Sequence, residues 1–346
     1  MKILIESHIP YIKGLLEPFA QVEYLEPQQF TSESVADADA LIIRTRTYCN
    51  ASLLDGSRCQ FIGTATIGTD HIDLDYCKNR GITVCNAAGC NAPAVAQYVL
   101  ASIYQHMQAK HIASPESLTV GVVGVGHVGS IVARFAKECG FKVLLCDPPR
   151  AEREGGDQFT SLSHICAEAD IITFHTPLTK QGEHATYHIC NEKMLGNLGK
   201  CSLLINSARG PIVETEALLK HLRTNDNLSV AIDCWEGEPN INPELLQRAF
   251  VATPHIAGYS ADGKANATTM AVRAVSRFFG LGLDHFVVDA LPPKQVCACS
   301  RAALPLRMLA NYDIMADDAR LRREPTAFEQ QRSRYPVRRE VVWSVE

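Results

Sequence analysis

The sequence carries no excess of positive charge. Its 33 Lys and Arg stand against 38 Asp and Glu, giving a formal net charge of −5 and a pI near 6.2. A global basic field of the kind that recruits nucleic acid is therefore absent, and no nucleic-acid partner is expected. No uninterrupted apolar stretch reaches the roughly 18 residues that a membrane span needs, so no membrane partner is expected either. The chain has 13 cysteines but no C-x-x-C pair; the nearest two are Cys297 and Cys299. An odd, scattered set argues against a zinc site or a disulfide framework and for reduced thiols in a cytoplasm. There is no short-period repeat and no low-complexity tract. What remains is ordinary globular composition, 46% hydrophobic and 21% charged over 346 residues. That length suggests two domains, or two with a short appendage.

Short apolar runs recur along the chain. Met1-Lys2-Ile3-Leu4-Ile5-Glu6 is too short and too soon acidic for a signal peptide, and reads as a first strand. Further strands are expected at Ala40–Arg44, Phe61–Thr66 and Ile82–Asn86, each bounded by turn or helix signals. A helix from about Ala92 to His111, with Val95, Val99 and Ile103 on one face, would connect this series to a second. The second series runs Thr119–Gly124, Lys142–Asp147, Asp170–His175, Ser202–Asn206, Ser229–Asp233 and Phe250–Thr253. Helical segments lie between, such as Val128–Cys139, closed by Gly140. Regular β-α alternation implies parallel, doubly wound α/β sheets. From Arg301 onward there are nine Arg, no Lys and seven acids. This stretch reads as a small α/β appendage with solvated charge rather than a nucleic-acid surface.

The second series opens on Val123-Gly124-Val125-Gly126-His127-Val128-Gly129. Its G-x-G-x-x-G pattern is weak alone, but here it follows a strand and starts a helix, as a dinucleotide loop requires. Gly124 permits the turn, Gly126 lets backbone N–H groups approach a pyrophosphate, and Gly129 lets the helix pack closely. Asp147, at the end of the next strand, suits the ribose hydroxyls of NAD and disfavours a 2′-phosphate, although Arg150 lies near. Three later strands end in Asn206-Ser207-Ala208-Arg209-Gly210, Asp233-Cys234-Trp235-Glu236-Gly237-Glu238-Pro239 and Thr253-Pro254-His255-Ile256-Ala257-Gly258. Carboxyl ends of strands in such a sheet face the ligand crevice. Arg209 can hold a carboxylate with its planar fork, His255 can take a hydroxyl proton, and Glu238 can orient the imidazole and stabilise its cation. Any one of them alone reads more plainly as a surface ion pair or a satisfied core histidine. Their shared placement after a dinucleotide loop reverses that preference.

From Met1 to about Gly282 the sequence resembles the D-isomer-specific 2-hydroxyacid dehydrogenases. The resemblance rests on Phe61-Ile62-Gly63-Thr64-Ala65-Thr66, Gly68-Thr69-Asp70-His71, Gly89-Cys90-Asn91-Ala92, Leu145-Cys146-Asp147-Pro148-Pro149-Arg150, Thr173-Phe174-His175-Thr176-Pro177 and His255–Tyr259. It implies a Rossmann NAD-binding domain (93–258) inserted in a flavodoxin-like lid or substrate domain (1–92 and 259–285). A small C-terminal α/β dimerisation segment (286–346) follows, which makes a homodimer the expected partner state. It implies NAD as cofactor, a phosphorylated 2-hydroxy acid as substrate, no metal, and Arg209, Glu238 and His255 as the catalytic set. By the same resemblance Gly124, Gly126, His127, Val128, Gly129, Asp147, Thr176, Ser207, Ala208, Arg209, Asp233 and Gly258 contact NAD. Thr45, Thr66 and Tyr259 contact substrate, with Arg44 or Arg46 as a guess for the phosphate clamp. The alternatives are another dehydrogenase of the family, such as one for 3-phosphoglycerate, or an NAD-sensing binding protein on the same fold.

Overall fold

The computed structural model describes residues 1–345, and contacts divide the chain into two compact units. The first comprises Met1–Asn91 and Ser260–Pro293. Its five strands are β1 (Lys2–Glu6), β2 (Gln21–Leu25), β3 (Ala40–Ile43), β4 (Phe61–Thr64) and β5 (Thr83–Asn86). They form a parallel sheet of order β2-β1-β3-β4-β5, the flavodoxin-like order. Successive side chains leave a strand on opposite faces. Leu4, Leu41, Ile43 and Ile62 therefore build one core, while Ile3, Ile5, Ile42 and Phe61 build another. The second core is covered by Val272 and Val275 of the helix Ala261–Phe279. Phe61 meets Phe278 and Phe279 at ring separations of 5.2 and 6.4 Å. Ser260 caps the start of that helix and Gly280, at φ +71°, ends it in the left-handed region.

β2 is the one strand of this sheet that the sequence reading missed. It lies at the edge, and its Gln21-Val22-Glu23-Tyr24-Leu25 alternates between exposed and covered positions. A search for continuous apolar runs finds strands buried on both faces and passes over an edge strand of this kind.

The second unit comprises Ala92–Tyr259 and the chain from Lys294 onward. Its strands are β6 (Thr119–Val123), β7 (Lys142–Cys146), β8 (Ile171–Phe174), β9 (Leu203–Asn206), β10 (Ser229–Ile232) and β11 (Val251–Ala252). All are parallel, in the order β11-β10-β9-β8-β6-β7. The chain leaves β6 for β7 on one side and returns to β8 on the other. This reversal places a crevice at the carboxyl ends of the strands. The helix His127–Glu138 after β6 buries Gly129, Val132, Ala133 and Ala136, the i, i+3, i+4, i+7 stripe of a helix lying on a sheet.

Residues 286–346, set apart by the sequence reading, do not form a separate unit. Those up to Pro293 belong to the first unit and those from Lys294 to the second. A parallel pair, β12 (Gln295–Cys299) and β13 (Val341–Val345), brackets three short helices, Leu304–Asn311, Ile314–Arg323 and Phe328–Ser333. So short a segment has too little apolar surface for a core of its own. It extends the existing ones instead: Leu304, Met308 and Trp343 join Tyr98 and Tyr104, while Leu321 and Phe328 join Trp235 and Leu245. The attachment is also polar. Asp318, 5% exposed, accepts the Ala252 N–H at 2.7 Å, which closes the edge strand β11. Arg322 donates to both Asp318 oxygens and to the carbonyls of Leu246 and Ala249.

Replacing Asp318 leaves the Ala252 N–H without an acceptor and takes away the counter-charge of Arg322, which keeps only the carbonyls of Leu246 and Ala249. Asp318→Ala should lower the stability of the second unit by about 1–3 kcal/mol. The urea midpoint read by Trp235 and Trp343 fluorescence tests this. Asp37→Ala, at an exposed ion pair of the first unit, should leave that midpoint in place.

Candidate active site

Every chemically informative segment of the second unit begins where a strand ends. Gly124 follows β6, Asp147 follows β7, His175 and Thr176 follow β8, Ser207 to Arg209 follow β9, Asp233 to Glu238 follow β10, and Thr253 to His255 follow β11. Parallel strands aligned in register place all six loops on one edge of one sheet.

In the first loop, Gly124 sits at φ +87°, and a methyl on Gly129 would overlap the Gly124 carbonyl. A Cβ on Gly126 would meet no protein atom within 4 Å. The outer glycines are thus required by the chain itself, while the middle one leaves open space beside the N-terminus of the helix that His127 and Val128 begin. Asp147 accepts the Val125 N–H at 2.8 Å and the Arg150 N–H at 3.0 Å, tying the glycine loop to the end of β7. The Arg150 guanidinium is engaged by Glu154 and by the Val125 carbonyl. Two hydroxyls on neighbouring loops, Thr176 Oγ1 and Ser207 Oγ, are buried without a hydrogen-bond partner. Buried hydroxyls are normally satisfied. These two fit NAD, together with the open Gly126, the helix N-terminus and Asp147.

Asn206 joins two further loops. Its Nδ2 donates to the carbonyls of Arg209 (3.0 Å) and Cys234 (3.1 Å), and its Oδ1 accepts from Ala208 N at 3.2 Å. The loops touch so closely that a Cβ on Gly210 would collide with the Trp235 carbonyl. Arg209 is thereby fixed next to the loop that carries Glu238, and its Nη1 donates to the Ala208 carbonyl at 2.8 Å.

Glu238 and His255 meet directly. His255 Nδ1 lies 2.8 Å from Glu238 Oε2 and 3.1 Å from Oε1, and Glu238 Oε1 also accepts the Trp235 N–H at 2.8 Å. Glu238 fixes the Nδ1–H tautomer and leaves Nε2 as the acceptor. Both side chains are partly exposed, at 26% and 19%. Burial alone would raise the Glu238 carboxyl, but the charge of His255, its hydrogen bond, the Trp235 N–H and the charge of Arg332 outweigh it and hold the group below its ordinary 4.5. A carboxyl so lowered contributes stability above its unfolded value and loses it as pH falls through the folded one. The dyad is therefore intact at neutral pH and opens in acid.

His255 has φ +57°, a strained value for a non-glycine residue. Asp233 holds it there. Its backbone carbonyl accepts the His255 N–H at 2.9 Å. Oδ1 accepts from Thr253 Oγ1 (2.7 Å) and Ile256 N (2.8 Å), and Oδ2 from Ala257 N (3.0 Å). Asp233 is 1% exposed, and burial raises its carboxyl despite these donors. The sequence reading placed Asp233 on NAD; the carboxylate seen here is engaged by the turn that carries His255 and Gly258. Cys234, Glu238 and His255 have ligand-type atoms within 4.8 Å of one another. Burial pushes the Cys234 thiol far up, so it stays protonated, with Sγ 3.4 Å from the Ala208 carbonyl, and Glu238 already holds two donors. This donor set suits an acid–base pair rather than a cation.

On the first unit, Thr45 is exposed in the turn after β3. Thr66 follows β4, with Oγ1 2.6 Å from Thr64 Oγ1. Glu6, at the end of β1 and 2% exposed, accepts from Arg44 N (2.8 Å) and Thr47 Oγ1 (3.0 Å), shaping the turn that presents Thr45. His71 is buried 3.3 Å from Thr64 Oγ1, and burial lowers it. The sequence reading missed the roles of Glu6 and Asn206. Each is a polar residue terminating an apolar strand, which is the signal that could have found it.

Two substitutions separate cofactor space from fold. Gly126→Ala should keep the wild-type melting temperature, since its methyl meets no protein atom, yet raise the Kd for NADH roughly tenfold or more by filling the space a pyrophosphate needs. Gly129→Ala should lower both stability and affinity. Fluorescence titration and thermal melts check both, and unchanged affinity in Gly126→Ala would contradict the assignment.

The model of the D-isomer specific 2-hydroxyacid dehydrogenase, NAD binding domain, matches residues 83–257. The chain is 47% identical over 344 residues to an erythronate-4-phosphate dehydrogenase of Bacteroides thetaiotaomicron, covering 98% of this chain and 97% of that one. It is 41% identical over 354 residues to the protein of that name from Escherichia coli, covering 99% and 93%. Among solved structures, the NAD+-bound 3-phosphoglycerate dehydrogenase of Entamoeba histolytica superposes with a TM-score of 0.66 at 24% identity over 84% of this chain and 99% of that one, a likeness of fold. With a glycine loop and buried hydroxyls suited to NAD and an Arg–Glu–His set on the same sheet edge, the chain belongs to the D-isomer-specific 2-hydroxyacid dehydrogenase family, NAD-dependent oxidoreductases acting on CH–OH groups.

Proposed function

We propose that the chain oxidises 4-phospho-D-erythronate at C2 to (R)-3-hydroxy-2-oxo-4-phosphooxybutanoate, a step of pyridoxal 5′-phosphate synthesis. The observation that carries this reading is the near full-length identity to relatives named for that substrate. The Arg209, Glu238 and His255 of the family are all present. The chemistry that NAD would supply when bound is acceptance of the C2 hydride. Thr176, Ser207 and the Gly124–Gly129 loop would hold it, with Asp147 at its ribose hydroxyls. Arg150, engaged by Glu154, is not placed to welcome a 2′-phosphate, which supports NAD over NADP.

The chain's own residues supply proton transfer and orientation. Arg209 grips the C1 carboxylate with two parallel N–H donors. His255 takes the C2 hydroxyl proton at Nε2, because Nδ1 is held by Glu238. The Glu238 carboxylate then stabilises the imidazolium. Tyr259 of the second unit, and Thr45 and Thr66 of the first, are proposed as substrate contacts.

Self-association through the C-terminal segment is part of the same reading. Val296 and Val342 are directly paired across β12 and β13, yet are 66% and 45% exposed, and Leu306 is 74% exposed. An apolar patch on so small a sheet supports a homodimer. The buried, protonated thiols of the second unit, such as Cys146 and Cys139, both pushed up to about 11, suit a reducing cytoplasm. Among the described residues no helix is long and apolar enough to cross a membrane.

NADH formation across phosphorylated and plain hydroxy acids tests the substrate. 4-Phospho-D-erythronate should give the highest kcat/KM, and equal turnover of plain erythronate would count against it. His255→Ala should lower kcat by about 10²–10⁴-fold. Hydroxy-acid oxidation requires the neutral imidazole, so the rate should rise with pH and oxo-acid reduction should fall. Glu238→Gln removes the counter-charge of the imidazolium, so it should lower kcat only in part. Arg209→Lys should recover little of what Arg209→Ala loses, since an ammonium cannot form the paired bonds. Near wild-type kcat in His255→Ala would point instead to His175 or His71. Light scattering should find a dimer that Val296→Lys with Val342→Lys converts to monomer.

A further inference from the structure

Beyond the three residues shared with the family, the C-terminal part of the second unit brings a cation to the same loops. The helix Phe328–Ser333 is anchored by Phe328, which is fully buried. One turn along, Arg332 is only 23% exposed. Its Nε is buried without a hydrogen-bond partner, and its ion-pair partner, Glu329, stands 3.5 Å from Nη1 and is itself 43% exposed. Three residues on, the Tyr335 ring meets the Tyr259 ring edge-on at 6.2 Å. Arg338 lies over the Tyr312 ring at 4.1 Å and donates to the carbonyls of Ile256, Ala257 and Tyr259. The stretch 332–338 is thus fastened to the loop that runs from His255 to Tyr259. The Arg332 charge also acts on Glu238, the carboxylate that holds His255.

A guanidinium taken largely out of water loses hydration that a protein normally replaces with acceptors. Here the replacement is incomplete. Glu329 is a long, exposed partner, and Glu238 already accepts from His255 and Trp235. A bound anion would supply the acceptor that the Arg332 Nε lacks. The proposed substrate has two anionic ends, and Arg209 suits the carboxylate. We propose that Arg332 is a phosphate-binding residue, whose guanidinium receives the terminal phosphate of the substrate next to Tyr259. The inference rests on the proposed function. It differs from the sequence expectation, which looked to Arg44 or Arg46.

The experiment measures kcat and KM for 4-phospho-D-erythronate and plain D-erythronate in the wild type, Arg332→Gln and Arg332→Lys. Inhibition by inorganic phosphate, thermal midpoints and pH profiles are recorded alongside. In Arg332→Gln the ratio of kcat/KM for the phosphorylated over the plain substrate should fall tenfold or more, chiefly through KM, and inorganic phosphate should inhibit more weakly. Arg332→Lys keeps the stem and charge, so it should fold and keep part of the preference, since an ammonium binds phosphate as a point charge. An unchanged ratio in either folded variant overturns the proposal. So does an equal loss on both substrates, whether with a shifted pH profile, which would place Arg332 on Glu238 alone, or with a lowered midpoint, which would make it structural. A wild type with no preference for the phosphorylated acid defeats the substrate reading itself and is distinguishable from these outcomes.

Discussion

The chemistry of the second unit depends on one buried carboxylate. Asp233 receives the Thr253 hydroxyl and the N–H groups of Ile256 and Ala257, and so fixes a turn that would not form unaided. That turn puts His255 in a left-handed conformation and aims its ring at Glu238. A backbone of this kind costs of order 1–3 kcal/mol and persists only where its surroundings over-determine it. Asp233 begins the same loop that ends in Glu238, so the acid that orients the imidazole and the acid that shapes its backbone are positioned together.

The remaining loops are held by the same kind of device, a polar side chain at a strand end that reaches across to the next loop. Asn206 fastens the Arg209 loop to the Cys234 loop, Asp147 fastens the glycine loop to β7, and Glu6 does the equivalent on the first unit. Where the loops approach most closely, at Gly129 and Gly210, no side chain fits. Arg338 adds a fourth fastening, from the last part of the chain to the carbonyls after His255. Rigid strand ends with cross-braced loops are a suitable frame for groups whose separations must be held to fractions of an ångström.

Much of this frame was legible in the sequence. Central strands such as Ala40–Ile43, and Leu203–Ile205 within β9, are apolar because both faces are covered, and the run is visible by eye. Arg209, Glu238 and His255 could be picked out because each follows such a run. The edge strand β2 was not legible, since its alternating residues resemble those of a loop. Nor was the second role of Asp233, because a strand-end aspartate looks the same whether it faces a ligand or its own turn. Arg332 and Arg338 stood in an arginine-rich stretch that read as solvated charge. Only the fold shows that Arg338 lies over the Tyr312 ring and that the Arg332 Nε is shut away from water.

The first unit is assembled from two stretches separated by the whole six-stranded sheet of the second. Its β1–β5 are translated early, but the helix Ala261–Phe279 that covers Ile3, Ile5, Ile42 and Phe61 leaves the ribosome much later. Until then one face of that sheet is bare, and its most apolar side chains are open to other nascent chains. Pairing across so long an interval raises contact order and slows folding. It also makes the early half-domain a natural client for chaperones that bind exposed apolar strands. The Rossmann sheet, whose six strands arrive in one continuous stretch, can complete its pairing without waiting.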